Sequence, residues 1–142
     1  MKEAQVNRIF FSRIFEDEDL LEAIKKRVEK AGIKAGFLFA IGSLKRAVLW
    51  FYKDGKYKPI PVKGPLEITS CIGNLALKEN GEVIVHAHLT VSNEKGESFG
   101  GHLLPECIVA ATAELVLVEA SGIELKREFD VKTNLYLLSL DE

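Results

Sequence analysis

One helical pattern near the start of the chain is followed almost entirely by strand patterns, and this order limits the possible folds more than any other feature. Apolar residues recur at helical spacing at Leu20, Leu21, Ile24, Val28 and Ala31. Asp19 followed by Glu22 matches a capping box, and Gly32 is typical of the position after a helix end. The sequence therefore predicts one main helix within residues 16–32.

Strand patterns occupy most of the remaining chain. They cover residues 6–15, 36–42, 44–53, 56–62, 66–79, 82–92, 107–120 and 134–140. The segment 107–120 fits a helix or a strand, and we assign it as a strand because the neighbouring segments need pairing partners. Asp54-Gly55 and Asn80-Gly81 are typical hairpin turns. Gly64-Pro65 predicts a break between strands.

These elements predict an α+β fold on a mostly antiparallel sheet of about seven strands, as a single domain over residues 1–142. Pro59 and Pro61 place their segment at a sheet edge or end it early. Long apolar strands such as 107–120 need cover on both faces, which one helix does not supply. We therefore expect the chain to form an oligomer.

Composition excludes several classes of protein. The net charge is −2 and no basic run exceeds Lys25-Lys26-Arg27, so we do not expect the chain to bind DNA on its own. No apolar run approaches the ~20 residues of a membrane span, and the first residues lack an apolar signal core, which favours a cytoplasmic protein. Abundant Lys and Glu are typical of a thermophilic host.

The two cysteines, Cys71 and Cys107, lie far apart among apolar neighbours. We expect two buried, reduced thiols, although a disulfide between them is also compatible with the sequence.

The three histidines, His86, His88 and His102, all fall within one short stretch. In a strand over 82–92, the residues at odd positions form an apolar face, and His86 and His88 lie side by side on the opposite face. If residues 99–104 pair with this strand as a hairpin, His102 returns close to both. Gly100 and Gly101 would allow a close approach of the backbones.

Three neutral imidazoles suit Zn²⁺ or another divalent transition metal. Three protein ligands leave a coordination position open, as in catalytic zinc sites. The same pattern also fits a half-exposed polar face, or a cluster held by packing and hydrogen bonds.

Charged residues inside apolar strands are further candidates. Glu67 and Glu114 interrupt apolar segments, where an unpaired carboxylate is costly, so we expect them to line a site or to meet a buried cation. Arg13 is the natural cation, because it interrupts the first strand. Glu97 and Glu106 are interpreted as surface or turn charges.

The ordered set of motifs resembles the plant and prokaryote conserved (PPC) domain family. The motifs are Arg13, Glu18-Asp19-Leu20, Ala40-Ile41-Gly42-Ser43-Leu44, Gly64-Pro65-Leu66-Glu67-Ile68-Thr69-Ser70, His86-Ala87-His88 and Gly100-Gly101-His102-Leu103. The resemblance implies an α+β homotrimer related to the acetolactate decarboxylase-like fold, in which a His-x-His pair and a later histidine hold zinc.

By that kinship, Zn²⁺ or another divalent transition metal would bind His86, His88 and His102, with Arg13, Glu67 or Glu114 nearby. In plants the domain accompanies AT-hook DNA-binding motifs, but this sequence contains no Arg-Gly-Arg-Pro core. Pro65 stands where plant members carry an arginine in a segment associated with partner binding.

Two functional hypotheses follow, and the sequence leaves open whether the protein is an enzyme. The first is a trimeric metalloprotein whose open ligand position takes a small carbonyl- or ester-bearing molecule. The alternative is a trimeric protein–protein interaction module with a DNA-associated or transcription-regulatory role, in which the metal is structural or incidental.

Overall fold

Alternating apolar side chains bury one face of a long sheet under a single helix. The computed structural model describes residues 1–140. The helix is α1 (Leu20–Ala31), and the strands are β1 (Gln5–Phe15), β2 (Gly36–Lys53), β3 (Lys56–Lys78), β4 (Val83–Ser92), β5 (Ser98–Leu103), β6 (Ile108–Ser121), β7 (Lys126–Asp130) and β8 (Leu135–Ser139).

Within the described residues, the eight strands form one sheet in the order β1-β6-β2-β5-β4-β3-β7-β8, with β2 also paired to β3. Neighbouring strands are antiparallel except for β3 and β7, which run parallel. Because β2 pairs with both β3 and β5, and β4 joins those two, these four strands form a closed set of pairings. The predicted α+β class and mostly antiparallel sheet are confirmed.

The helix begins and ends where the capping pattern predicts. The Asp19 carboxylate accepts a hydrogen bond from the Glu22 backbone N–H, and Gly32 adopts the left-handed conformation that closes the last turn. The buried side of α1 presents Leu20, Ile24 and other apolar residues to the core. Burying each large apolar side chain stabilises the fold by about 1.5–3 kcal/mol.

Two continuous strands of the structure each join two consecutive segments that were predicted as separate strands. Residues 36–53 form β2 and residues 56–78 form β3, so the predicted break at Gly64-Pro65 is wrong. The dipeptide fits into the ladder because the register of β2 and β3 shifts opposite it, between Leu44 and Arg46. Pro59 and Pro61 lie where β3 has only β2 as a described partner, so their predicted edge position is confirmed.

The strand assignment of 107–120 is confirmed by β6, and β4 and β5 form the expected hairpin. Strand β7 was not predicted from the sequence, because its residues Lys126–Asp130 are mainly charged and show no apolar alternation. Cys71 and Cys107 are buried and unbonded, as expected for reduced thiols. Within residues 1–140 no helix has the length and hydropathy that a membrane crossing requires.

Candidate metal centre

The three histidines converge on the outer face of the sheet, opposite the core. Val85, Ala87 and Leu89 of β4 point into the core, so His86 and His88 project outward. On β5, His102 lies directly opposite His88. The ring centroids are 5.0 to 5.5 Å apart. One ring nitrogen from each histidine lies within 4.8 Å of the others, as the predicted hairpin requires.

Glycines allow the strands that carry these histidines to approach closely. A Cβ atom on Gly101 would lie 3.0 Å from both the Leu49 Cβ and the Trp50 carbonyl oxygen. On β3, a Cβ atom on Gly73 would lie 2.3 Å from the His86 carbonyl oxygen. The backbones beside His102 and His86 therefore leave no room for a side chain.

Burial keeps two of the histidines neutral. It is the largest cause of the shift that lowers the pKa of His86 to about 4 and that of His102 to about 4. Arg127 and the neighbouring histidines lower both pKa values further, because each disfavours a positive charge on these rings. Near neutral pH, both rings are therefore uncharged, and each has one ring nitrogen with a lone pair.

Arg127 of β7 contacts the cluster directly. Its Nη2 lies 2.9 Å from the Nδ1 of His86 and donates 2.7 Å to the Asn74 Oδ1, while its Nη1 donates 3.0 Å to the Tyr136 carbonyl oxygen. A guanidinium only donates hydrogen bonds, so Nδ1 of His86 is the acceptor. In the usual arrangement of a metal-binding histidine, the second ring nitrogen donates to a carboxylate or carbonyl.

Aromatic side chains form one wall of the site. Tyr57 stacks on His102 with ring centroids 4.8 Å apart, and Trp50 is the cross-strand partner of His102 on β2. The histidines open onto two cavities of about 500 Å³ and about 290 Å³, both lined by Tyr57, His86 and His102. The site therefore combines imidazole donors with space for a small molecule.

The other three sequence candidates lie outside both cavities. Arg13, Glu67 and Glu114 are all exposed in the single chain, so none of them is a buried charge there. Each alternates with core residues and therefore points to the outer face, as Arg13 does next to the fully buried Ile14. Their catalytic role stays a prediction. Glu97 and Glu106 are exposed, as predicted for surface charges.

Arg13 and Glu114 are cross-strand partners, and both line a separate cavity of about 630 Å³. Among the described residues no ion pair joins them. The Arg13 Nε instead donates 3.0 Å to the Thr112 hydroxyl.

Sequence reasoning missed Arg127, Trp50 and Tyr57. Arg127 lies in the strand that was not predicted, and only the tertiary fold brings it to His86. Trp50 and Tyr57 lie in predicted strands, but their contact with His102 depends on the register of β2 with β5 and β3. The one sequence feature that could have pointed to these residues is that Trp50 is the single tryptophan of the chain.

Comparison with known proteins relates the whole fold to solved structures. A plant- and prokaryote-conserved (PPC) protein from Pyrococcus horikoshii is 35% identical, with a TM-score of 0.90 over 100% of this chain and 98% of its own. The metal-containing protein AF0104 from Archaeoglobus fulgidus is 31% identical, with a TM-score of 0.87 over 99% of this chain and 100% of its own.

Among curated proteins, the bifunctional protein GlmU of Synechococcus sp. (strain JA-2-3B'a(2-13)) is 33% identical over 127 residues. The match covers 89% of this chain and 19% of GlmU, so the chain spans about a fifth of the length of the curated relatives it matches. Residues 1–121 match the sequence model of one domain family. On that match, which covers most of the chain, this protein belongs to the Plants and Prokaryotes Conserved (PCC) domain family.

Proposed function

We propose that this chain is a metal-binding protein that holds a divalent transition metal ion, with zinc as the first candidate, on His86, His88 and His102. The convergence of three ring nitrogens within 4.8 Å of one another carries the proposal. Zinc–nitrogen bonds of about 2.0–2.1 Å place tetrahedral ligand atoms roughly 3.3 Å apart, so small ring rotations bring the three nitrogens to one ion.

The chemistry of the donor set fits such an ion. Metals bind the neutral imidazole, and His86 and His102 stay neutral because burial lowers the pKa of each to about 4. An ion held by three protein ligands would keep a position open, where it would polarise a bound carbonyl or ester group. Tyr57 and Trp50 give that position a rigid aromatic wall, which supports a small organic ligand.

The relatives support the same proposal. The Archaeoglobus fulgidus protein is described as metal-containing and is 31% identical over 99% of this chain. We extend that property to this chain because its own residues present a matching donor set.

The assembly we propose is a homotrimer whose interface is the outer apolar face, defined as Phe11, Phe37, Phe39, Ile41 and Ile72. These side chains are exposed in the single chain, with Phe11 at 82% and Ile72 at 55%. Contiguous exposed apolar patches of this kind mark association surfaces.

The outer apolar face also reaches the histidines. Phe11, Val116, Phe39, Ile72 and His88 are successive cross-strand neighbours. A subunit seated on this face would therefore come close to the metal site, and it would also cover Arg13 and Glu114.

A second candidate function is a protein–protein interaction module, which the C-terminal hairpin of β7 and β8 favours. This hairpin exposes Phe129, Val131, Leu137 and Leu138 to solvent. In this case a partner protein, including a DNA-associated one, would bind the hairpin. Removal of the metal would then leave partner binding intact.

The proposal is tested by the metal content of protein purified without a histidine tag. We expect about one ion per chain after incubation with zinc and desalting, since one cluster supplies one site. His88→Gln removes a ligand from the exposed edge of the cluster, and we expect it to lose the ion. Arg46→Gln, an exposed change on β2, is the control. A wild-type protein that retains no zinc contradicts the proposal.

A further inference from the structure

Arg127 is a buried cation without an anionic partner. The residue is 5% exposed, and its hydrogen-bond acceptors are a carbonyl oxygen, an amide oxygen and an imidazole nitrogen. Its Nε is buried and has no partner. Within residues 1–140, no carboxylate forms an ion pair with it. Buried charges are normally paired, so this arrangement lacks an anion.

Contacts between the β7–β8 hairpin and the rest of the chain fix the position of Arg127. The hairpin of β7 and β8 follows residues 1–121, which match the family domain. It is attached to the body of the protein by the parallel pairing of β7 with β3, and by the Tyr52 hydroxyl, which donates to the Thr133 carbonyl oxygen. The hairpin thereby carries the guanidinium to His86.

The surroundings of the histidines contain no compensating acid. The larger cavity is lined by aromatic, apolar and histidine side chains and no carboxylate. The lining of the smaller cavity includes Glu82, whose Oε2 forms an ion pair with the Lys78 Nζ at 2.7 Å. A divalent ion on the histidines would add two positive charges beside Arg127. The loaded site would therefore carry a strong positive charge, which an anion from outside the chain would offset.

A second unpartnered donor lies beside the other cavity of the histidine cluster, because Arg127 lines the smaller cavity and Trp50 the larger one. Among the described residues, the buried side-chain polar atoms without a partner are the Arg127 Nε and the Trp50 Nε1. Trp50 lines the larger cavity and is the cross-strand partner of His102. Both atoms are donors that lack an acceptor within the described residues.

We propose that the histidine site takes a small organic carboxylate, and that Arg127 is the specificity-determining residue that selects its negative charge. This inference rests on the proposed function, because the carboxylate occupies the position that the three histidines leave open. The aromatic wall of Trp50 and Tyr57 accommodates the organic part of the ligand. An inorganic anion makes no use of that wall.

Arg127 also opposes the metal when no anion is present. Neutral His86 has one lone pair, and in this structure that lone pair accepts from Arg127. The guanidinium and a divalent ion also repel each other. Removing the positive charge should therefore strengthen metal binding and weaken carboxylate binding. A purely structural arginine would instead weaken both, since its loss would loosen the hairpin.

Cobalt-substituted protein provides the test, because the visible absorption of Co²⁺ reports both metal uptake and a new ligand on the ion. The probes are butyrate, its neutral isostere butyramide, and inorganic phosphate. The variants are Arg127→Gln, Arg127→Lys and the exposed control Arg46→Gln. Thermal unfolding of each variant checks that the hairpin stays folded.

We expect saturable butyrate binding to the wild type, with butyramide and phosphate binding more weakly. Arg127→Gln should weaken butyrate binding about tenfold or more, the usual effect of losing a charge-assisted interaction, and should bind Co²⁺ more tightly. Arg127→Lys and Arg46→Gln should retain butyrate.

Three results overturn the inference while the proposed function stands. They are unchanged butyrate binding in Arg127→Gln, a parallel loss of Co²⁺ and butyrate in that variant, and phosphate binding as tight as that of butyrate. Failure of the wild type to take up Co²⁺ overturns the proposed function and this inference together.

Discussion

His88 and His102 face each other across the β4–β5 ladder, with ring centroids 5.5 Å apart. Their positions follow from the register of two antiparallel strands, and His86 lies two residues along β4 on the same face. The donor set is therefore attached to sheet backbone, which holds side chains more rigidly than a loop does. Changes to the ladder should alter the site without touching its ligands.

Gly101→Ala should weaken metal binding although every histidine remains. The added Cβ would lie 3.0 Å from the Leu49 Cβ and the Trp50 carbonyl oxygen, so β5 or the facing part of β2 must shift by a few tenths of an ångström, which displaces His102 relative to the other two histidines. Isothermal titration with Zn²⁺ measures the effect. Gly100→Ala is the matched control, because its Cβ meets only ordinary contacts at 3.4 Å or more. Equal zinc affinities of the two variants would contradict this account.

The metal-free protein should lose stability on acidification. Burial lowers the pKa of His86 and of His102 to about 4, whereas histidine in the unfolded chain titrates near its usual 6.5. Between these values the unfolded chain binds protons that the folded chain does not. The stability is therefore fully present above 6.5 and is lost as the pH falls through about 4.

Urea unfolding at the two ends of this pH range measures the loss. His102→Asn removes one of the two groups and should show a smaller fall in the free energy of unfolding than the wild type. The same fall in both proteins would mean that other groups cause it.

Phe39→Asp should break the proposed trimer. Phe39 lies in the middle of the outer apolar face and is 43% exposed in the single chain, so a carboxylate there would be buried without a partner in the assembly. Light scattering should give three times 15.8 kDa for the wild type and a lower mass for the variant. Val131→Asp, on an exposed turn, should leave the mass unchanged. A monomeric wild type would exclude the trimer.

Asp19→Ala should destabilise the fold by about 1–2 kcal/mol, the usual effect of losing a helix cap. One carboxylate oxygen of Asp19 accepts from the Glu22 N–H at 3.1 Å, and the other accepts from the Glu106 N–H at 2.6 Å. Denaturant unfolding of Glu29→Ala, on the exposed side of the same helix, provides the baseline. A loss no larger than this baseline would show that the cap contributes little.

Much of the fold was predictable because it depends on local patterns. The caps at Asp19 and Gly32 and the period-two face of β4 each need only a few neighbouring residues. Whether Arg13 is buried or exposed could not be predicted from its strand pattern. The exposure of its side chain depends on which face of β1 the rest of the chain covers.

The candidate site was likewise predictable only where local patterns determine it. His86 and His88 share a face by strand alternation, and His102 joins them through a hairpin that the loop length favours. Arg127 is 25 residues further along the chain than His102, and it reaches His86 through a parallel pairing that no local pattern indicates. Its role in the site follows only from tertiary structure.

Anomalous diffraction from a zinc-soaked crystal, measured on both sides of the zinc absorption edge, locates the bound ion directly. We expect one peak per chain, about 2.0–2.1 Å from a ring nitrogen of each of His86, His88 and His102. A crystal whose anomalous signal lies elsewhere, or which shows no peak among these three side chains, would contradict the proposed metal site.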